Sequence, residues 1–146
     1  MCIRDRIILG EGPRREKLEK LAVDLNVEEH IQMPGFAENP YAYMSRSVAL
    51  VMSSHFEALP AVLIEALHVG TQVVSTDCPN GPVEILENGK YGVLVPMNDV
   101  GALADGMVKA IDNKDFRPNP EACKRYMDKH VAPQYLDVLL GPEVSA

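Results

Sequence analysis

The sequence predicts an α/β fold, a Rossmann-like parallel sheet with helices on both faces. Two observations carry this expectation. Short apolar runs at residues 7–9, 48–52, 72–75 and 92–95 alternate with segments of helical period as far as residue 111, the pattern of a parallel sheet whose strands are joined by helical crossovers. The run at 48–52 is continuously apolar, which suits a strand buried on both faces.

Taken in order, residues 1–6, Met-Cys-Ile-Arg-Asp-Arg, fit the pattern poorly. They read like the translation of a transposon end used in preparing sequencing libraries. The expectation is a non-native leader over 1–6, with one domain over 7–146 and a parent protein that began upstream. Ile7-Ile8-Leu9 ends in the turn Gly10-Glu11-Gly12-Pro13, and Pro13 can open a helix. Residues 14–25 place Leu18, Leu21, Ala22 and Leu25 on one face at i, i+3, i+4, i+7. Residues 28–33 contain a short strand, marked by Ile31 and Met33, that is expected to break at Pro34-Gly35-Phe36. Asn39 can cap a short helix from Pro40 to Met44. The strand at 48–52 leads into a loop containing Glu57 and the break Ala58-Leu59-Pro60.

A helix follows with Leu63, Ala66, Leu67 and Gly70 as its core stripe at 3.6 residues per turn. Beyond the strand at 72–75, a loop over 76–82 precedes a short helix at 82–86, closed by Asn88-Gly89. Pro96 stops the strand at 92–95. Asn98 or Asp99 caps a helix to about residue 111, with Leu103, Met107 and Ala110 inward. After Pro118 and Pro120, two helices over 120–129 and 132–140 finish the chain. No repeat or internal linker is visible.

The 47% hydrophobic and 24% charged fractions are those of a soluble globular domain. A net charge of −7 excludes nucleic acid as the natural partner, since phosphate backbones demand a basic surface, and disfavours docking on anionic lipid. No apolar run approaches the roughly 20 residues of a membrane helix, so no direct membrane span is expected. Cys2, Cys78 and Cys123 form neither a metal pattern nor a disulfide framework, and a reducing cytoplasmic setting follows. His30, His68 and His130 lack metal-ligand spacing.

The informative stretch is residues 53–70. Glu57 stands on a strand-to-helix loop and Glu65 on the helix, where an α/β sheet places its ligand-binding residues. The helix after Pro60 presents its first free N–H groups, those of Ala61 and Val62, towards the loop, and with the helix dipole they form an anion site. The small Ala58 and Ala61 let a phosphate or diphosphate approach the backbone. The stretch has no Lys or Arg and no P-loop. Glu65 falls about 160° from Leu63 on the wheel, free to accept two ribose hydroxyls, or simply solvated. Glu57 either reaches beyond the phosphate or is a loop acid stabilised by the dipole. Paired carboxylates also suit acid/base work on a glycoside. Among the neighbours, His55, Ser53 and Ser54 suit ligand contacts or loop hydrogen bonds, and Glu84 a sugar contact or the start of a short helix.

Glu57 and Glu65, inside SSHFEALPAVLIEALHVGTQVVSTD, resemble the E-x7-E signature of retaining glycosyltransferases of family 4. Ile8 to Pro13 resembles the family's strand and Gly-x-Gly-Pro turn, and Gly35-Phe36 its Gly-aromatic turn. Gly81 to Ile85, then Asn88-Gly89 and Gly92 to Pro96, resemble its last sheet segment. The resemblance covers residues 7–111.

It implies a GT-B fold, of which this chain is the C-terminal, nucleotide-sugar-binding half, with the acceptor-binding N-terminal domain absent. Glu65 would bind the donor ribose. Glu57, the candidate catalytic residue, would contact the transferred sugar or its phosphate side. Backbone of Ala58, Leu59, Pro60, Ala61 and Val62 would hold the diphosphate and sugar. Gly10 and the Gly35-Phe36 turn would lie on the substrate side, Phe36 against the base. No metal and no other cofactor is implied.

The implied reaction moves a hexose or N-acetylhexosamine from a nucleotide sugar, UDP-linked on the form of the Cys78-Pro79-x-Gly-Pro-x-Glu84 loop, to a glycan or lipid-linked acceptor. The full-length parent would act in the cytoplasm, at the inner face of the membrane. The family's phosphate-binding Arg and Lys lie upstream of this chain, so the fragment alone is expected to be inactive. Glu-Ala-Leu-Pro stands where Glu-Gly-Phe-Gly or Glu-Gly-Phe-Pro is commoner. Two alternatives stay open: a catalytically silent sugar-nucleotide-binding module, and a GT-B-type UDP-sugar epimerase.

Overall fold

The computed structural model describes residues 5–113, 118 and 121–141. They fall into two units, one ending at Pro40 and one beginning at Tyr41.

In the first unit, strand β1 (Arg6–Leu9) pairs in parallel with β2 (Ile31–Gly35). Helix α1 (Arg15–Asp24) and a 3₁₀ turn (Glu28–His30) connect them. Arg6, counted above with the leader, is the first residue of β1 and is paired with Ile31. The expected break at Pro34-Gly35 is instead the end of β2. Ile7 pairs with Gln32 but Leu9 with Gly35, so β2 carries one extra residue there. A proline has no N–H to give to a ladder, and such a bulge is where a strand tolerates it.

The stripe predicted for α1 is only partly buried. Ala22 is covered, while Leu18, Leu21 and Leu25 stay exposed. A two-stranded sheet offers too little surface to cover the whole stripe. Arg15 ties the start of α1 down: its guanidinium donates to Glu11 Oε1 at 2.5 Å, Glu19 Oε1 at 2.8 Å and the Met33 carbonyl at 2.6 Å.

The second unit contains the parallel sheet β3-β4-β5, in that order: β3 (Ala49–Met52), β4 (Gln72–Thr76) and β5 (Val93–Val95). Helix α2 (Pro40–Met44) precedes it, α3 (Ala61–His68) joins β3 to β4, and α4 (Gly81–Ile85) lies between β4 and β5. Then come α5 (Val100–Asp112), α6 (Glu121–Lys124) and α7 (Asp128–Leu140).

All five residues of β4 are buried. Neighbouring residues on a strand point to opposite faces. Val73 joins a core with Leu63 and Leu67 of α3, Ile85 and Leu86, and Ala122 and Cys123 of α6. Val74 faces the other way, where its methyl lies close to Gly106 of α5. Helices therefore cover both faces of this sheet, as the sequence predicts. Burial on both faces holds for β4 but not for the run at 48–52: Val48 and Val51 are exposed, because β3 is the outer strand of these three.

Within α3, Leu63, Ala66 and Leu67 are buried as expected. Gly70 is not part of that stripe. Its φ of +79° ends the helix, with Gly70 N–H donating to the Leu67 carbonyl at 3.2 Å and Thr71 N–H to Ala66 at 2.8 Å. These two bonds are a Schellman cap, which calls for glycine at the left-handed position.

Asp99 caps α5 by accepting from Ala102 N–H at 2.8 Å, which settles the choice between Asn98 and Asp99. The inward residues of α5 also differ in part. Gly106 and Ala110 are buried, and Leu103 and Met107 only partly so. At the end of the chain the division falls at Arg125–Met127, so Lys129 belongs to α7, which continues through Pro133. Pro120 lies outside the described residues.

Candidate functional site

The ends of β3, β4 and β5 lead into three loops that share hydrogen bonds. After β3, Ser54 Oγ donates to Glu57 Oε1 at 2.7 Å. At the end of β4, Thr76 Oγ1 donates to the Ser54 carbonyl at 2.6 Å. Beyond β5, the Asn98 side chain meets His55 Nε2 at 2.9 Å. The loop carrying Glu57 is thus tied to both of the other loops. Ser54 and Glu57 are half-buried, and Ala58 is exposed.

Helix α3 begins at Ala61 with Pro60 as its cap residue and no side-chain capping bond. Leu63 N–H already turns back to the Pro60 carbonyl at 3.0 Å. The N–H groups of Ala61 and Val62 have no acceptor within the helix, and they carry the positive end of its dipole. Leu59 is 53% exposed and Ala61 exposed, so this end is open to a ligand. One turn into α3, Glu65 is half-buried and accepts from Tyr41 Oη at 3.3 Å. The two carboxylates therefore flank an uncapped helix N-terminus. That arrangement suits an anionic group between two hydroxyl-bearing ones.

An open cleft of about 800 Å³ adjoins Ala58. Its walls include Asp77, Asn80, Gly81, Glu84 and Arg125. Glu84 accepts from Tyr126 Oη at 3.3 Å, and the Glu84 carbonyl accepts from Arg125. Burial pushes the Tyr126 phenol above its ordinary range, against the opposing pull of the Arg125 charge. Cys78 and Cys123 are buried, and Cys123 Sγ lies 3.8 Å from His68 Nδ1. Among the described residues no group of three metal-ligating side chains converges, and no helix is long and apolar enough to cross a membrane.

Gly10 and Phe36 belong to the first unit. Gly10 has φ +103° and donates its N–H to the Gly35 carbonyl at 2.7 Å. The two glycine turns singled out in the sequence thus meet. Gly35 has φ +84°, and a Cβ there would stand 2.6 Å from Glu11 Oε1. Phe36 is 84% exposed.

The structure brings Glu57, residues 58–62 and Glu65 together on one loop and one helix end, as the spacing predicts. It adds contacts from Tyr41, read in the sequence as a helix residue, from Thr76, read as a loop residue and found at the end of β4, and from Gly81, quoted there only for the family resemblance. No local signal marks them, because each finds its partner from more than 20 positions away. His55 is engaged by Asn98, and Ser54 by Glu57, so loop hydrogen bonds account for both.

The family model described as glycosyl transferases group 1 matches residues 6–130. An N-acetylgalactosamine-N,N'-diacetylbacillosaminyl-diphospho-undecaprenol 4-alpha-N-acetylgalactosaminyltransferase of Campylobacter jejuni is 31% identical over 140 residues, covering 92% of this chain and 38% of that protein. An uncharacterized glycosyltransferase of Methanocaldococcus jannaschii is 34% identical over 140 residues, covering 76% of this chain and 34% of its own length. The chain thus spans little more than a third of either of these relatives. Among solved structures, HepE of Anabaena in complex with UDP superposes with a TM-score of 0.84 at 20% identity, over 93% of this chain and 40% of that one. TarM gives 0.82 at 24% identity, over 93% and 28%. At such identities the structures establish the shared Rossmann-like fold of GT-B glycosyltransferases. The match over 125 of 146 residues and the relatives above 30% identity establish more: the chain belongs to the group 1 glycosyltransferase family.

Proposed function

We propose that this chain is the donor-binding domain, the C-terminal half of a GT-B fold, of a retaining glycosyltransferase. The enzyme would move a hexose or N-acetylhexosamine from a UDP-linked sugar to a glycan or lipid-linked acceptor in the cytoplasm. The observation that carries this reading is the uncapped start of α3 held between Glu57 and Glu65. Family membership supports it, as does the likeness to a relative named for transfer to a diphospho-undecaprenol-linked acceptor. UDP in the HepE complex supports the choice of nucleotide.

On this reading Glu65 accepts the ribose hydroxyls, with Tyr41 holding its other side. The N–H groups of Ala61 and Val62 receive the diphosphate. As the bond to the anomeric carbon breaks, negative charge grows on the departing phosphate. The helix N-terminus is already oriented towards it, so no reorganisation is needed at that moment. Glu57 faces the transferred sugar, and Ala58, Leu59 and Pro60 present backbone to it. The acceptor side belongs to a further domain, so the 146-residue chain binds donor without turning it over.

Calorimetry with UDP on the full chain and on Glu65→Ala tests the ribose role. A hydrogen bond to a charged group is worth about 1.5–3 kcal/mol, so the variant should bind UDP about tenfold more weakly or worse. Equal affinity in the two proteins would refute the assignment.

A further inference from the structure

Glu57 is held from behind by residues outside the E-x7-E motif. Thr76 is 5% exposed at the end of β4. Its hydroxyl donates to the Ser54 carbonyl at 2.6 Å, and the Ser54 hydroxyl donates to Glu57 Oε1 at 2.7 Å. Thr76 is itself fixed in the sheet: it pairs with Val95, and the next residue's N–H, that of Asp77, donates to the Val95 carbonyl at 2.8 Å. A buried threonine hydroxyl must find an acceptor, and this one finds it in the neighbouring loop.

Gly81 acts on the same loop from the other side. Its N–H donates to the Ala58 carbonyl at 3.3 Å. A Cβ at this position would stand 2.2 Å from Pro60 Cδ and 3.1 Å from the Ala58 oxygen. Only glycine lets the start of α4 lie this close to residues 58–60. The backbone proposed to face the sugar is therefore seated on α4, while the carboxylate ahead of it is linked to β4.

We infer that Thr76, Ser54 and Gly81 are positioning residues. The first two relay the hold of the sheet to the Glu57 carboxylate through Ser54, whose carbonyl accepts from Thr76 and whose hydroxyl donates to Glu57, and the third seats the loop behind it. The relay stands on geometry alone, while its bearing on donor binding rests on the reading of Glu57 given above. A glutamate on an exposed loop samples many rotamers. With Oε1 engaged and the loop backbone tied, that freedom is removed before a ligand arrives, which is how a site gains affinity without a new contact.

The test uses the full chain with Thr76→Val, which keeps the shape and removes the hydroxyl, Thr76→Ser, which keeps the hydroxyl, and Ser54→Ala. Exchange of the Gly81 amide, which donates to the Ala58 carbonyl, and the ¹³C shift of the Glu57 carboxyl carbon are read by NMR without ligand. Thr76→Val should speed exchange about fivefold, the equivalent of one lost hydrogen bond. Ser54→Ala should move the carboxyl carbon, and Thr76→Ser should restore wild-type exchange. Unchanged exchange in Thr76→Val, or failure of Thr76→Ser to restore it, would overturn the relay. If Thr76→Val does not fold, an unmoved carboxyl resonance in the half-buried Ser54→Ala variant overturns it equally.

Calorimetry with UDP-N-acetylglucosamine and with UDP then separates the two layers. A loosened loop with about tenfold weaker sugar-nucleotide binding and unchanged UDP binding supports both. A loosened loop with neither affinity changed leaves the relay standing and refutes Glu57 as a donor contact.

Discussion

Helix α5 contains two glycines that the same substitution should affect in opposite directions. Gly106 lies mid-helix, and a Cβ added there would stand 3.1 Å from Val74 Cγ1, 3.1 Å from Val95 Cγ1 and 3.3 Å from Val93 Cγ1. Carbon atoms pack best at about 3.5–4.0 Å, so three methyls would have to retreat by a few tenths of an ångström. They have little room to do so. Val74 and Val93 are register partners on adjacent strands, Val74 and Val95 are buried, and valine has stiff χ1 preferences. Overpacking of this kind costs about 1–3 kcal/mol. The gain in helix propensity from Gly to Ala is about 1 kcal/mol, so Gly106→Ala should destabilise by about 1 kcal/mol.

Gly101, in the first turn of α5, meets only Asp99 Oδ1 at 3.4 Å and is exposed. With no crowding, part of the propensity gain survives, and Gly101→Ala should stabilise by about 0.5 kcal/mol. Urea unfolding followed by circular dichroism resolves a difference of about 1.5 kcal/mol, and in thermal melts each kcal/mol is worth about 2–4 °C for a chain of this size. If Gly106→Ala matches or exceeds the wild type in stability, the tight packing of α5 on the β4–β5 face is wrong.

Two further outcomes are expected. Gly70→Ala should cost about 1 kcal/mol in the same urea assay although nothing stands within 4 Å of the added Cβ, since the penalty there comes from φ +79° alone. Burial raises the Tyr126 phenol above its ordinary range in the folded chain, so the folded state holds that proton more tightly than the unfolded one. Its contribution is fully present below about pH 10, the unfolded value, and is lost as pH rises through the folded one. Lys90, whose ammonium is held above its ordinary range chiefly by Glu87, acts in the same direction. Urea midpoints measured from pH 9 to about 11 should therefore fall less steeply in Tyr126→Phe than in the wild type; parallel curves would remove Tyr126 from the account.

What the sequence made legible was local. The period of residues 61–68 placed Leu63, Ala66 and Leu67 inward, and the helix formed with those three buried. The spacing of Glu57 and Glu65 put one on the loop and one on the helix, because strand, break and helix follow each other within 20 residues. Periodicity shows which face of a helix is apolar, but not whether anything covers it. Hence Leu18, Leu21 and Leu25 were expected inside and lie outside. It is also silent on register: Pro34 read as a strand breaker because the bulge that accommodates it depends on the distant residues Ile7 and Leu9. Gly106 was passed over in favour of bulky neighbours, although a missing side chain is what lets α5 approach the sheet. Ser54 was recognised as a loop hydrogen-bonding residue, but its partner Thr76 stands 22 positions further along the chain, at the end of β4.

The complete burial of β4 has a consequence for how such a domain can diversify. The strand contributes almost nothing to the surface along its length, yet Thr76 at its end reaches the loop that holds Glu57. The sheet is in effect a fixed mount and the loops at its rim are exchangeable fittings. Residues such as Phe56 and Leu59, both more than half exposed, can vary in size and polarity without disturbing the mount. A change at Thr76 or Gly81 would instead shift the loop of residues 54–60 as a whole. Variants with altered ligand preference should therefore be sought at Phe56 and Leu59, and variants that keep the preference but bind more weakly at Thr76 and Gly81.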